Sequence, residues 1–251
     1  MGICNRNFEM IWLFSANKIK SSESFSKQPT QLIVELNSSL CHIIVTKVYG
    51  RTNNPYHNGR IPGGSSGGEA SNLAAAGSPF GIGSDVGGSI RMPAFFNGIF
   101  GHKPSTGLVS NKGQIPGATG IIDTFLSTGP MSRYAADLLP MFKVMLKPSL
   151  KINLKLDEPI NLRKIKLYYM KDDGGNPIVS PVNDELIDVQ AKVVSKWKEC
   201  HQGHPEALSL SKMKYSTLMW SNKMSSEPKV WQYGLWSKKL RKIRIIVDIE
   251  N

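Results

Sequence analysis

Short apolar runs separated by turn residues set the rhythm of the first half of the chain. Leu32-Ile33-Val34 and Ile43-Ile44-Val45 each read as a short buried strand. The stretch from Arg51 to Tyr56, with Asn54 before Pro55, is turn chemistry. An alanine-rich run then predicts a helix over Glu69–Ala76, closed by Gly77 with Pro79 just beyond. Phe80–Asp85 reads as a glycine-interrupted strand. Ile90–Asn97 reads as a short helix with Pro93 in its first turn and Gly98 as its stop. Leu138, Met141 and Met145 recur at helical spacing and predict a helix over Met131–Met145. Leu162–Met170 is a predicted strand ending in an Asp-Asp-Gly-Gly turn. Val182, Leu186, Val189, Val193 and Trp197 form one stripe of an amphipathic helix over Pro181–Cys200, and that stripe is expected in the core. Strands alternating with helices predict an α/β sandwich on a mainly parallel or mixed sheet.

At 251 residues and 40% hydrophobic content, the chain is long enough to bury a sizeable core. Residues 15–30 are polar and predicted to be loop or disordered. No run approaches the ~20 apolar residues of a membrane-spanning helix. Cys4, Cys41 and Cys200 are odd in number and widely spaced, which argues against a disulfide framework or a zinc site and for a reducing compartment. The net charge of +12 is unevenly spread, with the basic excess concentrated between Lys196 and Arg244. Without a recognition motif that run reads as solvated surface, so no nucleic-acid partner is expected.

The candidate chemistry lies between Gly63 and Pro104. Two glycine-serine nodes occur there, Gly63-Gly64-Ser65-Ser66-Gly67-Gly68 and Gly87-Gly88-Ser89. Glycines let the backbone pass close to a ligand, and turns of this kind aim N–H groups and hydroxyls into one small space. Acyl transfer needs that combination of a nucleophilic oxygen and donors for the developing oxyanion. A P-loop is excluded because Glu69 stands where its lysine belongs. The dinucleotide fingerprint is excluded because Gly81-Ile82-Gly83 lacks its third glycine. Gly63–Gly67 fits G-x-S-x-G, the nucleophile elbow, although no apolar strand leads into Ser65 and the five histidines offer no compelling partner.

The whole stretch, with RMPAFFNGIFGHKPS inside it, YGRTNNP before it and STGPMSR after it, resembles the amidase signature family and its fatty-acid amide hydrolase 2 branch. Glutamyl-tRNA amidotransferase A subunits share the two nodes but fit Phe95-Phe96-Asn97 and His102 less well. The resemblance is most specific from Val48 to about Pro148. It implies a partial domain of this family over residues 31–228, between a divergent segment at 1–30 and a basic tail at 229–251, and the chain reads as a truncated member.

The resemblance implies an α/β sandwich of helices around a mixed sheet, incomplete here, with a Ser–cis-Ser–Lys site and no cofactor or metal. Ser89 would be the nucleophile. Ser65, preceded by a cis peptide bond, would bridge to the base. The N–H groups of Val86, Gly87, Gly88 and Ser89 would form the oxyanion hole. The implied reaction is hydrolysis of a fatty-acid amide or other acyl amide to free acid and amine. The implied setting is intracellular, at a membrane surface, with no transmembrane segment in this chain. The family's lysine base lies farther upstream than the 64 residues that precede Ser65, and Lys47 and Lys103 occupy positions that serve structure in the family pattern. A catalytically dead remnant that binds acyl amides or a partner is therefore the alternative reading. A basic binding protein in which the glycine turns are scaffold is a third.

Overall fold

The computed structural model describes residues 45–46 and 50–226, apart from 115–116, 148, 150–153, 160, 163–164, 178–179 and 202–203. The predicted strand at Leu32–Val34 lies outside them, as do Ile43 and Ile44. The described residues fall into two compact units, one ending at Leu154 and one spanning Lys155–Ser226. The predicted serines all belong to the first.

That unit opens with a two-residue antiparallel pair, β1 (Val45–Thr46) and β2 (Gly50–Arg51). Then follow α1 (Gly67–Ala74), β3 (Phe80–Asp85), α2 (Arg91–Phe96), β4 (Phe100–Gly101), α3 (Ile121–Phe125), β5 (Ser127–Ser132) and α4 (Ala135–Met145). Strand β5 is central: it pairs antiparallel with β3 on one side and β4 on the other. The β3–β5 register sets Gly83 opposite Gly129 and Asp85 opposite Ser127.

The two glycines let neighbouring chain approach the sheet closely. A Cβ on Gly83 would lie 2.8 Å from each of Ile90 Cγ1, Met131 Sδ and Ser66 Oγ. Packed around this point is a core cluster of Ala70, Leu73, Ile90, Ala94, Ile99 and Met131, contributed by α1, α2, β5 and the loops around α2. Full burial of side chains such as Leu73 and Ile90 contributes about 2 kcal/mol each to the hydrophobic stabilisation. It also fixes α1 and α2, the helices that follow the two serine nodes.

In the second unit β6 (Tyr168–Tyr169) pairs parallel with β7 (Glu206–Ala207), and α5 (Asp184–His201) and α6 (Ser216–Ser225) complete it. Strand pairs of both orientations are thus present, as a mixed α/β architecture requires. Within the first unit's sheet, however, the pairs are antiparallel, because β5 lies between the other two strands and runs against both.

Four sequence expectations are corrected. Helix α1 begins at Gly67, inside the first glycine node, and the left-handed turn after it falls at Ala76 (φ 58°) and not at Gly77. Met131 belongs to strand β5, and the helix predicted to start there begins at Ala135. The α5 stripe is not core. Val182, Leu186, Val189 and Val193 are all exposed, and Trp197 is half-buried. The unit buries Val194, with Ile187 and Gln190 partly covered, so α5 packs through the neighbouring face. Of the predicted strand Leu162–Met170, only Tyr168–Tyr169 is strand among the described residues.

Candidate active site

The two glycine-serine nodes meet. Ser65 and Ser89 are buried, at 8% and 3% exposure. The N–H of Ser66 donates to the Ser89 carbonyl oxygen at 3.2 Å, which ties the two nodes backbone to backbone. The Gly64–Ser65 peptide bond is cis. Ser66 is itself pinned to the sheet: its Oγ accepts from the Ser84 N–H at 3.3 Å and donates to the Ser84 carbonyl at 3.5 Å. Neither the Ser65 nor the Ser89 hydroxyl makes a hydrogen bond to another described residue.

Sequence reasoning did not single out the group that shapes the second node. Asp85, at the end of β3, is fully buried. Its carboxylate accepts the Gly88 N–H at 2.6 Å, the Ile90 N–H at 3.1 Å and the Arg91 N–H at 3.4 Å. The Arg91 guanidinium adds a forked contact, Nε at 2.9 Å and Nη2 at 3.1 Å. One carboxylate thus gathers the loop Val86–Ile90 around itself, the geometry that makes an Arg–carboxylate pair strong. Opposite charges six residues apart across a glycine turn were the available signal. Gly88 takes φ 121°, where a side chain would be strained, and a Cβ there would also press on Met92.

The expected oxyanion donors lie on this loop. Val86 is partly exposed, Gly87 exposed, and Gly88 and Ser89 buried. The Gly88 N–H is given to Asp85, so an oxyanion would draw on it only by sharing.

Burial alone would raise the Asp85 pKa. The Arg91 hydrogen bonds, the loop N–H donors and the Arg91 charge outweigh it and hold the carboxyl below its ordinary range. A group depressed on folding contributes stability above its unfolded pKa, about 3.9, and loses it as pH falls through the lower folded value. Asp85→Asn should therefore lower the urea midpoint by a constant amount near neutral pH, with the difference from wild type shrinking below about pH 4. An unchanged difference at about pH 3 would show that the charge of Asp85 is not what holds the loop.

Lys103 lies near this group but is committed elsewhere. Its Nζ donates to the Phe125 carbonyl at 3.1 Å and to Ser127 Oγ at 3.2 Å. Burial draws its pKa down, the Asp85 charge opposes this and the Arg91 charge adds to it. Lys47 lies outside the described residues. Among the described residues no lysine is hydrogen-bonded to Ser65 or Ser89, and no cluster of three or more His, Cys, Asp and Glu side chains converges as a metal site. Among the same residues no helix is long and apolar enough to cross a membrane. Cys200 is a free, exposed thiol.

Comparison with known proteins gives a consistent picture. The family model described as Amidase matches residues 40–203. Over 181 residues the chain is 55% identical to fatty-acid amide hydrolase 2 of Homo sapiens, covering 72% of this chain and 34% of the human protein. It is 47% identical over 173 residues to fatty-acid amide hydrolase 2-B of Danio rerio, covering 69% of this chain and 33% of the fish protein. Among solved structures, one titled fatty acid amide hydrolase superposes with a TM-score of 0.57 at 21% identity, over 79% of this chain and 36% of its own. Native peptide amidase from Stenotrophomonas maltophilia superposes with a TM-score of 0.51 at 25% identity, over 64% of this chain and 34% of its own. The chain spans about a third of the length of the curated relatives it matches.

Proposed function

We propose that this chain, which belongs to the amidase family, carries a serine amidase site with Ser89 as nucleophile and fatty-acid amides as substrates. The observation that supports the reading is the meeting of the two nodes: the Ser66 N–H donates to the carbonyl of Ser89, on a loop gathered by Asp85. The substrate class rests on the 55% identity to human fatty-acid amide hydrolase 2.

In the proposed reaction Ser89 Oγ attacks the acyl carbon and its proton passes to Ser65. The oxyanion is held by N–H groups of Val86, Gly87, Gly88 and Ser89. The C–N bond then breaks, the amine leaves with a proton returned through Ser65, and water hydrolyses the Ser89 acyl ester. Each oxyanion donor of this kind is worth about 3–4 kcal/mol in the transition state. The base implied for the far side of Ser65 is a lysine, and Lys103 does not fill that role because both its contacts lie elsewhere. That observation also favours a second reading, in which the 251-residue polypeptide binds acyl amides without turning them over.

Acylation separates the serines. A fluorophosphonate probe should modify the peptide that contains Ser89 and leave Ser65 free. Modification at Ser65 with Ser89 intact would transfer the nucleophile to the first node, and no modification of either would leave binding without turnover as the function.

A further inference from the structure

We propose that Asn54 and Asn97 are positioning residues that set Ser65 against Ser89, an inference that rests on the reading of the two serines given above. Helix α2 is six residues long, and at its end the Pro93, Ala94 and Phe95 carbonyls accept the backbone N–H groups of Asn97, Ile99 and Gly98. The Asn97 side chain adds a second bond to Pro93, Asn54 supplies one to Phe96, and each asparagine bridges to the loop that leads into Ser65. Asn97, fully buried, donates both hydrogens of Nδ2, one to the Pro62 carbonyl at 2.7 Å and one to the Pro93 carbonyl at 2.8 Å. Asn54, 3% exposed, reaches the other way: its Nδ2 donates to the Phe96 carbonyl at 2.7 Å and to the Ile61 carbonyl at 3.4 Å. Its Oδ1 accepts the Tyr56 N–H at 3.0 Å. The loop donates to the helix, and the helix end donates to the loop.

The clasp lies close to both serines along the chain. Pro62 precedes Ser65 by three residues, and α2 starts two residues after Ser89. Between the clasped points Gly63 takes φ 76°, and a Cβ there would lie 3.1 Å from the Pro93 backbone and the Phe96 ring. The chain is thus held to α2 at Asn54, at Asn97 and by contact at Gly63, immediately before the Ser66–Ser89 bond. Asn97 Oδ1 is buried with no partner among the described residues. A buried amide with one orphaned atom is a poor choice for packing alone, and its two donated bonds supply the reason for an amide here. Neither side chain can move a proton at neutral pH, so the role is positional.

The test uses Asn97→Asp, which keeps the shape but sets a carboxylate oxygen against two carbonyls, and Asn54→Ala, which removes the reach from the loop to Phe96 together with the side chain's local bonds to Ile61 and Tyr56. Asn54→Ala keeps the test open if Asn97→Asp fails to fold. The first readout is amide hydrogen exchange. The Ser66 N–H should exchange about tenfold faster in either variant while the β3 amides other than Ser84, which donates to Ser66 Oγ, keep their protection. The double variant should fall short of the product of the singles, since both asparagines hold one joint. Unchanged Ser66 exchange, or β3 and Ser66 loosening together, would reduce the pair to ordinary structural residues. The second readout is fluorophosphonate labelling of Ser89: the maximal rate should drop about tenfold with half-saturation unchanged. Labelling of the variants at the wild-type rate would overturn the proposal. If the wild type does not label at all, binding without turnover is left as the function, and Ser66 exchange still decides the clasp.

Discussion

Gly129→Ala is expected to unfold the first unit or lower its thermal midpoint by many degrees. Gly129 lies in the central strand of the three-stranded sheet, opposite Gly83. An added Cβ would collide with the His102 carbonyl oxygen and come within 2.7 Å of Pro104 Cδ. Neither obstacle can swing aside. The His102 N–H is bonded to the Pro130 carbonyl at 3.0 Å, and Pro104 is a buried, rigid ring. Relief would require β4 and β5 to part, breaking bonds in the strand that also carries Met131 into the core. Overpacking against fixed backbone costs about 3 kcal/mol or more, a large share of a typical domain's stability of about 5–15 kcal/mol. Gly113→Ala is the control. Gly113 has φ 89° but nothing within 4 Å, so only local backbone strain of about 1–2 kcal/mol is expected. Urea or thermal midpoints of the two variants decide the matter, and equal losses would show that the close approach at Gly129 carries no special weight.

The same glycines explain what was legible in the sequence. Phe80–Asp85 was readable as a strand because apolar and small residues alternate there, and its burial alternates with them. Ser127–Ser132 is buried at every position, and STGPMS shows no period at all. Gly129 must be a glycine because His102 and Pro104 press on it there, a constraint that no local pattern records. From sequence Met131 therefore reads as part of the helix that follows. In α5 the periodicity predicts the helix, but Leu186, Val189 and Val193 face outward while Val194 faces in. A helix with two apolar faces does not say which one its neighbours cover. The glycine-serine nodes were legible because acyl transfer demands an unusual local composition. Asp85, Asn54 and Asn97 were not, because their roles exist only through partners brought in by the fold. For Asn97 the far partner is Pro62, 35 residues away.

Ser89→Ala is expected to abolish turnover wherever turnover can be measured. Ser89 stands at the end of a loop whose N–H groups converge on one carboxylate, and its carbonyl accepts the Ser66 N–H of the first node. Removing a nucleophile from such a unit costs about 10⁴-fold or more in kcat, because its partners have nothing left to activate. Loss of a base and acid alone is usually worth ~10²–10⁴-fold. In the 251-residue polypeptide no described lysine contacts either serine, so its own hydrolysis of a long-chain fatty-acid amide should stand little above background. A fusion supplying the remaining segments of human fatty-acid amide hydrolase 2 should restore it. The decisive measurement is the initial rate of amine release from a long-chain fatty-acid amide by that fusion, with and without Ser89→Ala. The assignment of Ser89 as nucleophile predicts clear turnover that falls about 10⁴-fold on removing one oxygen. Turnover that survives Ser89→Ala undiminished would contradict it.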